Sequence, residues 1–310
     1  MKLTRTIATA GLGVAALLLA ACGGGGSNPL GQPSASGSGS GAAGAPIVVG
    51  SANFTESQVL GELYSQALVA KGIQSSTKPN IGSREVYIKA LQDKSISVVP
   101  EYTGNLLLNF DKNSTATTAQ EVETALPKAL PTDLKVLKAS AAVDQDVYVV
   151  TKESAAQNGL SSLADLKKVA SNLVLGGPST LATRSYGPQG LEKIYGVKIK
   201  EFKPYDSPAV QTKDFLDNKI QLAEYFTTQS VIADNGFVEL KDPQGMILPQ
   251  NVVPLVRSEV ADNATVTGVL DSVQAALTTA DLIALNNKVD NDHEDANQVA
   301  ADWLKSKGLA

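Results

Sequence analysis

Ile47-Val-Val-Gly-Ser-Ala-Asn-Phe-Thr-Glu56 is the stretch on which the fold turns. Three branched residues and a glycine read as a short buried strand. Asn53 or Thr55 then stands where it can cap a helix beginning near Glu56. Val59, Leu60, Leu63, Leu68 and Val69 fall on one face of that helix, and Gly72 ends it. A strand that runs straight into an amphipathic helix is the opening half of a parallel βαβ unit.

Downstream the same alternation continues. A second helix carries Val86, Ala90 and Leu91. Ile96-Ser-Val-Val99 reads as the next strand, and Pro100-Glu-Tyr-Thr-Gly104 turns toward a helix with Leu106 to Leu108. Asp146–Val150 reads as a strand, Leu163–Lys168 as a short helix, and Leu173–Leu175 as a strand followed by a Gly176-Gly-Pro178 turn. Helical signal follows at Leu191–Tyr195 and Gln211–Leu216, with extended chain at Gln221–Tyr225. Asn251-Val-Val-Pro-Leu-Val256 is apolar and extended. From about Ala261 the chain is helix-like, with Val266, Val269, Leu270, Val273 and Leu277 at helical spacing and Val299, Ala300 and Trp303 in a last helix. The class is α/β with mainly parallel sheets. A chain that leaves one α/β unit, builds a second and returns predicts two lobes with a hinge and an interdomain cleft. The strands near 147–150 and 250–256 are the candidate hinges. The expected division is 46–146 plus 252–310 for one lobe and 147–251 for the other.

Upstream, Lys2 and Arg5 precede an uncharged run from Ile7 to Ala21 that is too short to span a bilayer, which takes roughly 20 apolar residues. It reads as the apolar part of a signal peptide, residues 1–21. The run ends Leu19-Ala-Ala-Cys22, small residues before a thiol, the pattern of a lipoprotein cleavage site with Cys22 as the lipid attachment point. Cys22 is the only cysteine, so no intrachain disulfide is expected. Residues 23–45 are almost entirely Gly, Ser, Ala, Pro, Gln and Asn. They read as a flexible tether of about 25 Å. An exported protein on the outer face of the cytoplasmic membrane is expected.

The charge balance, 26 basic against 31 acidic residues, argues against a nucleic-acid partner. His293 is the only histidine and sits in the polar stretch Asp290-Asn-Asp-His-Glu-Asp295, a solvated loop or helix start. No Gly-x-Ser-x-Gly, phosphate loop or metal-ligand spacing is visible, so neither enzyme activity, nor a cofactor, nor a metal is expected. What remains is a set of aromatic residues at predicted strand ends: Phe54, Tyr102, Tyr148 and Tyr225-Phe226. In α/β sheets ligands gather at the carboxyl ends of strands, and several rings together make a box for a cation. Ordinary core packing is the plain alternative for each ring alone.

The order and spacing of several short motifs resemble the substrate-binding lipoproteins of osmoprotectant ABC importers, which take up glycine betaine, choline, carnitine or proline. The carriers are Gly50-Ser-Ala-Asn-Phe-Thr-Glu56, Ile81-Gly-Ser-Arg84, Pro100-Glu-Tyr-Thr-Gly104, Thr183-Arg184, Gly190-Leu191, Tyr195-Gly196, Thr227-Thr228, Leu240-Lys-Asp242 and Asn251-Val-Val-Pro254. The resemblance covers residues 46–310. It implies a type II periplasmic-binding-protein fold, a Venus flytrap, and a membrane permease as partner, with the binding protein itself a monomer. It also implies that Tyr102, Tyr148 and Phe226 grip a trimethylammonium group and that Arg184 holds a carboxylate. Asn105 matches a position that tunes specificity, and Phe54, Thr55, Ser83, Thr228 and Gln229 complete the expected ligand set. Where relatives place a fourth cage tyrosine, this chain has Gln211-Thr-Lys-Asp-Phe215, so Thr212 or Lys213 falls there, and a lysine would repel a quaternary ammonium. Where relatives have Thr-Asp, this chain has Thr228-Gln229. The expected cargo is a small osmoprotectant such as glycine betaine or choline. The alternatives are a polar or aromatic small molecule such as a polyphenol in the same transport role and, more remotely, a lipoprotein enzyme.

Overall fold

The computed structural model describes residues 45–310. The expected signal peptide, Cys22 and the tether as far as residue 44 lie outside them.

Two five-stranded mixed sheets organise the chain. The first has the order β2-β1-β3-β10-β4, from β1 (Ile47–Gly50), β2 (Ser75–Lys78), β3 (Val98–Tyr102), β4 (Leu134–Val136) and β10 (Val252–Arg257). Around it pack α1 (Thr55–Ala70), α2 (Arg84–Gln92), α3 (Thr103–Phe110) and α4 (Ala119–Ala129), joined by four helices from the end of the chain. The second has the order β7-β6-β8-β5-β9, from β5 (Asp146–Val150), β6 (Val174–Pro178), β7 (Glu201–Tyr205), β8 (Leu222–Phe226) and β9 (Val238–Glu239). Its helices are α5 (Lys152–Asn158), α6 (Pro188–Tyr195), α7 (Pro208–Leu216) and α8 (Val231–Asp234), with 3₁₀ turns at Leu163–Lys168 and Ser179–Thr183. The late helices are α9 (Ser258–Ala261), α10 (Ala264–Ala276), α11 (Thr279–Asp290) and α12 (Ala296–Ser306).

Each sheet is parallel except around one strand. β10 runs antiparallel to β3 and β4, and β5 antiparallel to β8 and β9. These are the strands reached by the two crossovers, residues 137–145 and 240–251. Both expected hinge strands therefore belong to the sheets, and the links between the sheets lie just before them. The crossovers run side by side, through a bridge between Val143 and Asn251 and bonds from Asp144 N to Gln250 O and from Val252 N to Ala142 O.

Each sheet buries a layer on both faces. Leu60, Leu63, Tyr64, Val98 and Leu270 fill one side of the first sheet, and Leu91, Ile96, Leu106, Leu107 and Leu255 the other. In the second, alternation along β5 sends Tyr148 and Val150 to one layer with Leu163, Leu175 and Leu191. Val147 and Val149 go to the other, with Phe215, Ile220 and Tyr225.

Some local readings change. The strand expected over 96–99 runs on through Pro100-Glu-Tyr102. Pro100 lies opposite Pro254 in the β3–β10 register. Bonds flank them from Thr103 N to Asn251 O and from Arg257 N to Ser97 O, and Pro254 O accepts from Leu137 N on the other side. The prolines therefore form a non-hydrogen-bonded pair, and neither missing N–H is needed between β3 and β10. Gly176 and Gly177 lie inside β6 rather than in a turn. Neither Asn53 nor Thr55 caps α1: Phe54 takes that position with no side-chain cap bond, and Thr55 lies inside the helix. Val69, grouped with the apolar face of the first helix, is exposed, as is Val86 on the second.

Candidate functional site

The carboxyl ends of β1, β3 and β8 meet between the two sheets. Phe54, from the loop after β1, lies 6.2 Å from the Tyr102 ring at the end of β3. The same Phe54 ring lies 5.6 Å from Phe226 at the end of β8. Three of the expected aromatics thus form one cluster drawn from both sheets. The strand-end position of Tyr102 has a local cause. Glu101, the charged residue in the Pro-Glu-Tyr motif, is fully buried and saturated. It takes a two-pronged pair from Arg84 at 2.7 and 2.9 Å, the Tyr87 hydroxyl at 2.6 Å and the Tyr102 backbone N–H at 2.9 Å. That network pins the end of β3.

Beneath the rings lies a buried carboxylate that carried no role in the sequence reading. Glu56 Oε1 accepts from the Tyr102 hydroxyl at 2.6 Å. Its Oε2 accepts from Thr228 Oγ1 and Asn286 Nδ2, each at 2.7 Å. Glu56 and Asn286 belong to helices on the first sheet, and Thr228 follows a strand of the second, so this carboxylate ties the two halves together. Burial, then the charge of Glu56, pushes the Tyr102 phenol well above its ordinary range, which keeps it a donor.

Further carboxyls follow along the crossover and the second sheet. Asp144 accepts from the Thr228 backbone N–H at 3.2 Å. Asp146 accepts from Asn105 Nδ2 at 2.8 Å, and the same amide reaches the Tyr186 hydroxyl at 3.2 Å. Glu224 sits on the same face of β8 as Phe226 and is buried. Burial first, then the charge of Asp146 and a hydrogen bond with it, pushes the Glu224 carboxyl well above the usual range. Burial and the charge of Glu56 do the same to Asp144, against the bond from Thr228. The two arginines among the sequence motifs do not offset this acidity: Arg84 pairs with Glu101 and Arg184 with Glu85.

The remaining expected ligand residues are placed as follows. Arg184 Nη1 is 2.6 Å from Glu85 Oε1, a pair that spans from the second half to the first. Ser83 precedes α2, and its hydroxyl also steadies Glu85. Thr228 and Asn105 stand beside the cluster, as above. Thr55 bonds Asp290 Oδ1 at 2.5 Å, inside the first half. Gln229 Oε1 accepts from the Phe226 backbone N–H at 2.9 Å and so shapes the turn after β8. Tyr148 does not join the rings. It is fully buried in the second core and donates to the Tyr186 carbonyl at 2.6 Å. Lys213, expected to repel a cation, is 72% exposed and pairs with Asp217, while Thr212 bonds Tyr225 on the opposite face of the sheet. No positive charge from α7 therefore reaches the rings. A surface hollow of about 480 Å³ borders the turn after β8 through Thr227 and Gln229, and one of about 670 Å³ lies against α4; neither is bordered by Phe54, Tyr102 or Phe226.

A family model described as the substrate-binding domain of ABC-type glycine betaine transport systems matches residues 45–306. The chain belongs to this family. As a substrate-binding domain it is the capture component of an ABC importer of osmoprotectants, not an enzyme of that system. It is 29% identical to the glycine betaine-binding protein YehZ of Escherichia coli (strain K12), over 86% of this chain and 92% of that one. The solved structure of apo YehZ superposes with a TM-score of 0.62 at 28% identity, covering 86% of this chain and all of that one. The crystal structure of a glycine betaine/carnitine/choline ABC transporter component matches at a TM-score of 0.69 and 20% identity, over 85% of this chain and 99% of that one, and shows the same type II fold.

Proposed function

We propose that the protein captures a small quaternary ammonium solute between Phe54, Tyr102 and Phe226, closes its two lobes on it and delivers it to a membrane permease. The observation that carries this reading is the aromatic cluster itself, with rings contributed from both sheets and a buried carboxylate hydrogen-bonded to one of them. A quaternary ammonium cannot donate a conventional hydrogen bond, so ring faces and diffuse negative charge are what recognise it. The family description and the name of YehZ point to glycine betaine as one such compound. In this reading the lobes are 46–146 plus 252–310 and 147–251, and they pivot on the two crossovers. Thr228 and Asn105 flank the solute. Cys22 carries the lipid, and the tether keeps the monomeric trap near its permease on the outer face of the membrane, raising its effective concentration there.

Calorimetry of the full chain with glycine betaine, choline, carnitine and proline tests the reading. At least one quaternary amine is expected to bind, and Phe226→Ala is expected to weaken it about tenfold or more, since a ring on a desolvated cation is worth roughly 2 kcal/mol. Heat-silent titration by all of them at millimolar concentration, with no thermal stabilisation, would overturn it.

A further inference from the structure

Glu224 Oε1 and Asn105 Oδ1 are buried and have no hydrogen-bond partner among the described residues. Both are acceptors, and they belong to one network. The Asn105 amide nitrogen donates to Asp146, and Asp146 and Glu224 lie on the paired strands β5 and β8, close enough for the charge of Asp146 to raise the Glu224 carboxyl. The network sits next to the rings: Glu224 and Phe226 share a face of β8, and Asp146 lies opposite Phe226 in the β5–β8 register. Glu56 and Asp144 add two further acids, while Arg84 and Arg184 are paired elsewhere. Buried acceptors are almost always matched in folded proteins, and in a binding protein the missing donor is supplied by the solute.

Resting on the capture of a quaternary ammonium, we propose that Glu224, with Asn105 and Asp146, forms a polar subsite for a hydrogen-bond donor, so that the solute's far end is a hydroxyl or amine and not a carboxylate. A hydroxyl satisfies the Glu224 oxygen. A carboxylate would add one more acid to Glu56, Asp144, Asp146 and Glu224. A site built to hydrogen-bond a group rejects analogues that lack it far more strongly than an apolar pocket rejects a missing methylene.

The test uses the full chain and three probes that share a quaternary nitrogen: choline, with a hydroxyl; tetramethylammonium, with no polar end; and glycine betaine, with a carboxylate. Choline is expected to bind about tenfold or more tighter than either of the others. Glu224→Gln is expected to bring the choline-to-tetramethylammonium ratio to within about twofold, and Asp146→Asn to lower it as well. Affinity for choline is expected to rise with pH, because the cation favours the ionised form of a carboxyl that burial pushes up. The groups facing Glu224 are Asp146 and Tyr148 on β5, Asp144 on the crossover and Tyr186 before α6; none is a base whose loss of charge would give the same slope. Glycine betaine binding as tightly as choline, a choline preference that survives both substitutions, or choline affinity falling with pH would each overturn the subsite while leaving the ring site standing. Silence with all three probes removes the ring site and the subsite together.

Discussion

Tyr102 does two things at once, and a single substitution separates them. Its ring belongs to the aromatic cluster, and its hydroxyl donates to Glu56 at 2.6 Å in a buried setting. Tyr102→Phe keeps the ring and removes the donor, leaving a carboxylate oxygen without its partner. A hydrogen bond to a charged group contributes about 1.5–3 kcal/mol, so the urea midpoint is expected to fall by that equivalent with an unchanged slope. Affinity for a quaternary amine is expected to fall less than in Tyr102→Ala, because the ring face remains. A midpoint matching the parent would show that Glu56 finds another donor. At this scale the site was half legible. Aromatics after strand ends were visible as a class, and Phe54, Tyr102 and Phe226 do meet. Tyr148 had the same appearance but alternates into the core, since its neighbours on β5 leave it facing Leu163 and Leu175. The acids had a signal too: Asp146 heads an apolar strand and Glu224 interrupts one. One sequence gives no way of choosing them from 31 carboxylates.

The elements that position these residues are set by close backbone approaches as much as by apolar pattern. Gly104 lies in the first turn of α3, where a Cβ would come within 2.6 Å of the Pro249 carbonyl and 2.7 Å of Leu248 Cβ. The 240–251 crossover therefore passes directly over the helix that carries Asn105. Gly104→Ala forces the two apart. The expected loss is about 1–3 kcal/mol by overpacking, read from chemical denaturation. A variant as stable as the parent would mean that the crossover yields freely. Strands with continuous branched residues, such as β5 and β10, were legible because both of their faces are buried. β2, Ser-Ser-Thr-Lys, was not: it is a polar edge strand, half exposed, held by its register with β1. β3 runs three residues beyond the expected end at Val99 because Arg84 neutralises Glu101 inside the sheet, a compensation that appears only once the chain is folded.

For the molecule as a whole, the question is what Arg184 does when the two halves come together. It pairs with Glu85 across them at 2.6 Å, with the arginine 17% exposed and the glutamate 55%. Working against the desolvation of burial, the hydrogen bond from Arg184 holds the Glu85 carboxyl down at about 2. A depressed carboxylate stabilises the paired form above its unfolded value, near 4.3, and that contribution is lost as pH falls toward 2. Half-exposed pairs contribute only about 0–1 kcal/mol, so the pair biases closure without locking it. Removing it lowers the fraction of closed molecules by a few-fold at most, and apparent affinity falls by the same factor. Glu85→Gln is therefore expected to weaken choline and glycine betaine alike, by about two- to fivefold in calorimetry, and to enlarge the unliganded molecule in small-angle scattering. The competing role, Arg184 as the anchor of a ligand carboxylate, predicts the opposite sign for one probe. Freed from Glu85, the guanidinium would be available, and glycine betaine would bind more tightly while choline would not. Parallel weakening assigns Arg184 to closure; a gain confined to glycine betaine assigns it to the solute, and would remove the donor subsite at Glu224 by the same measurement.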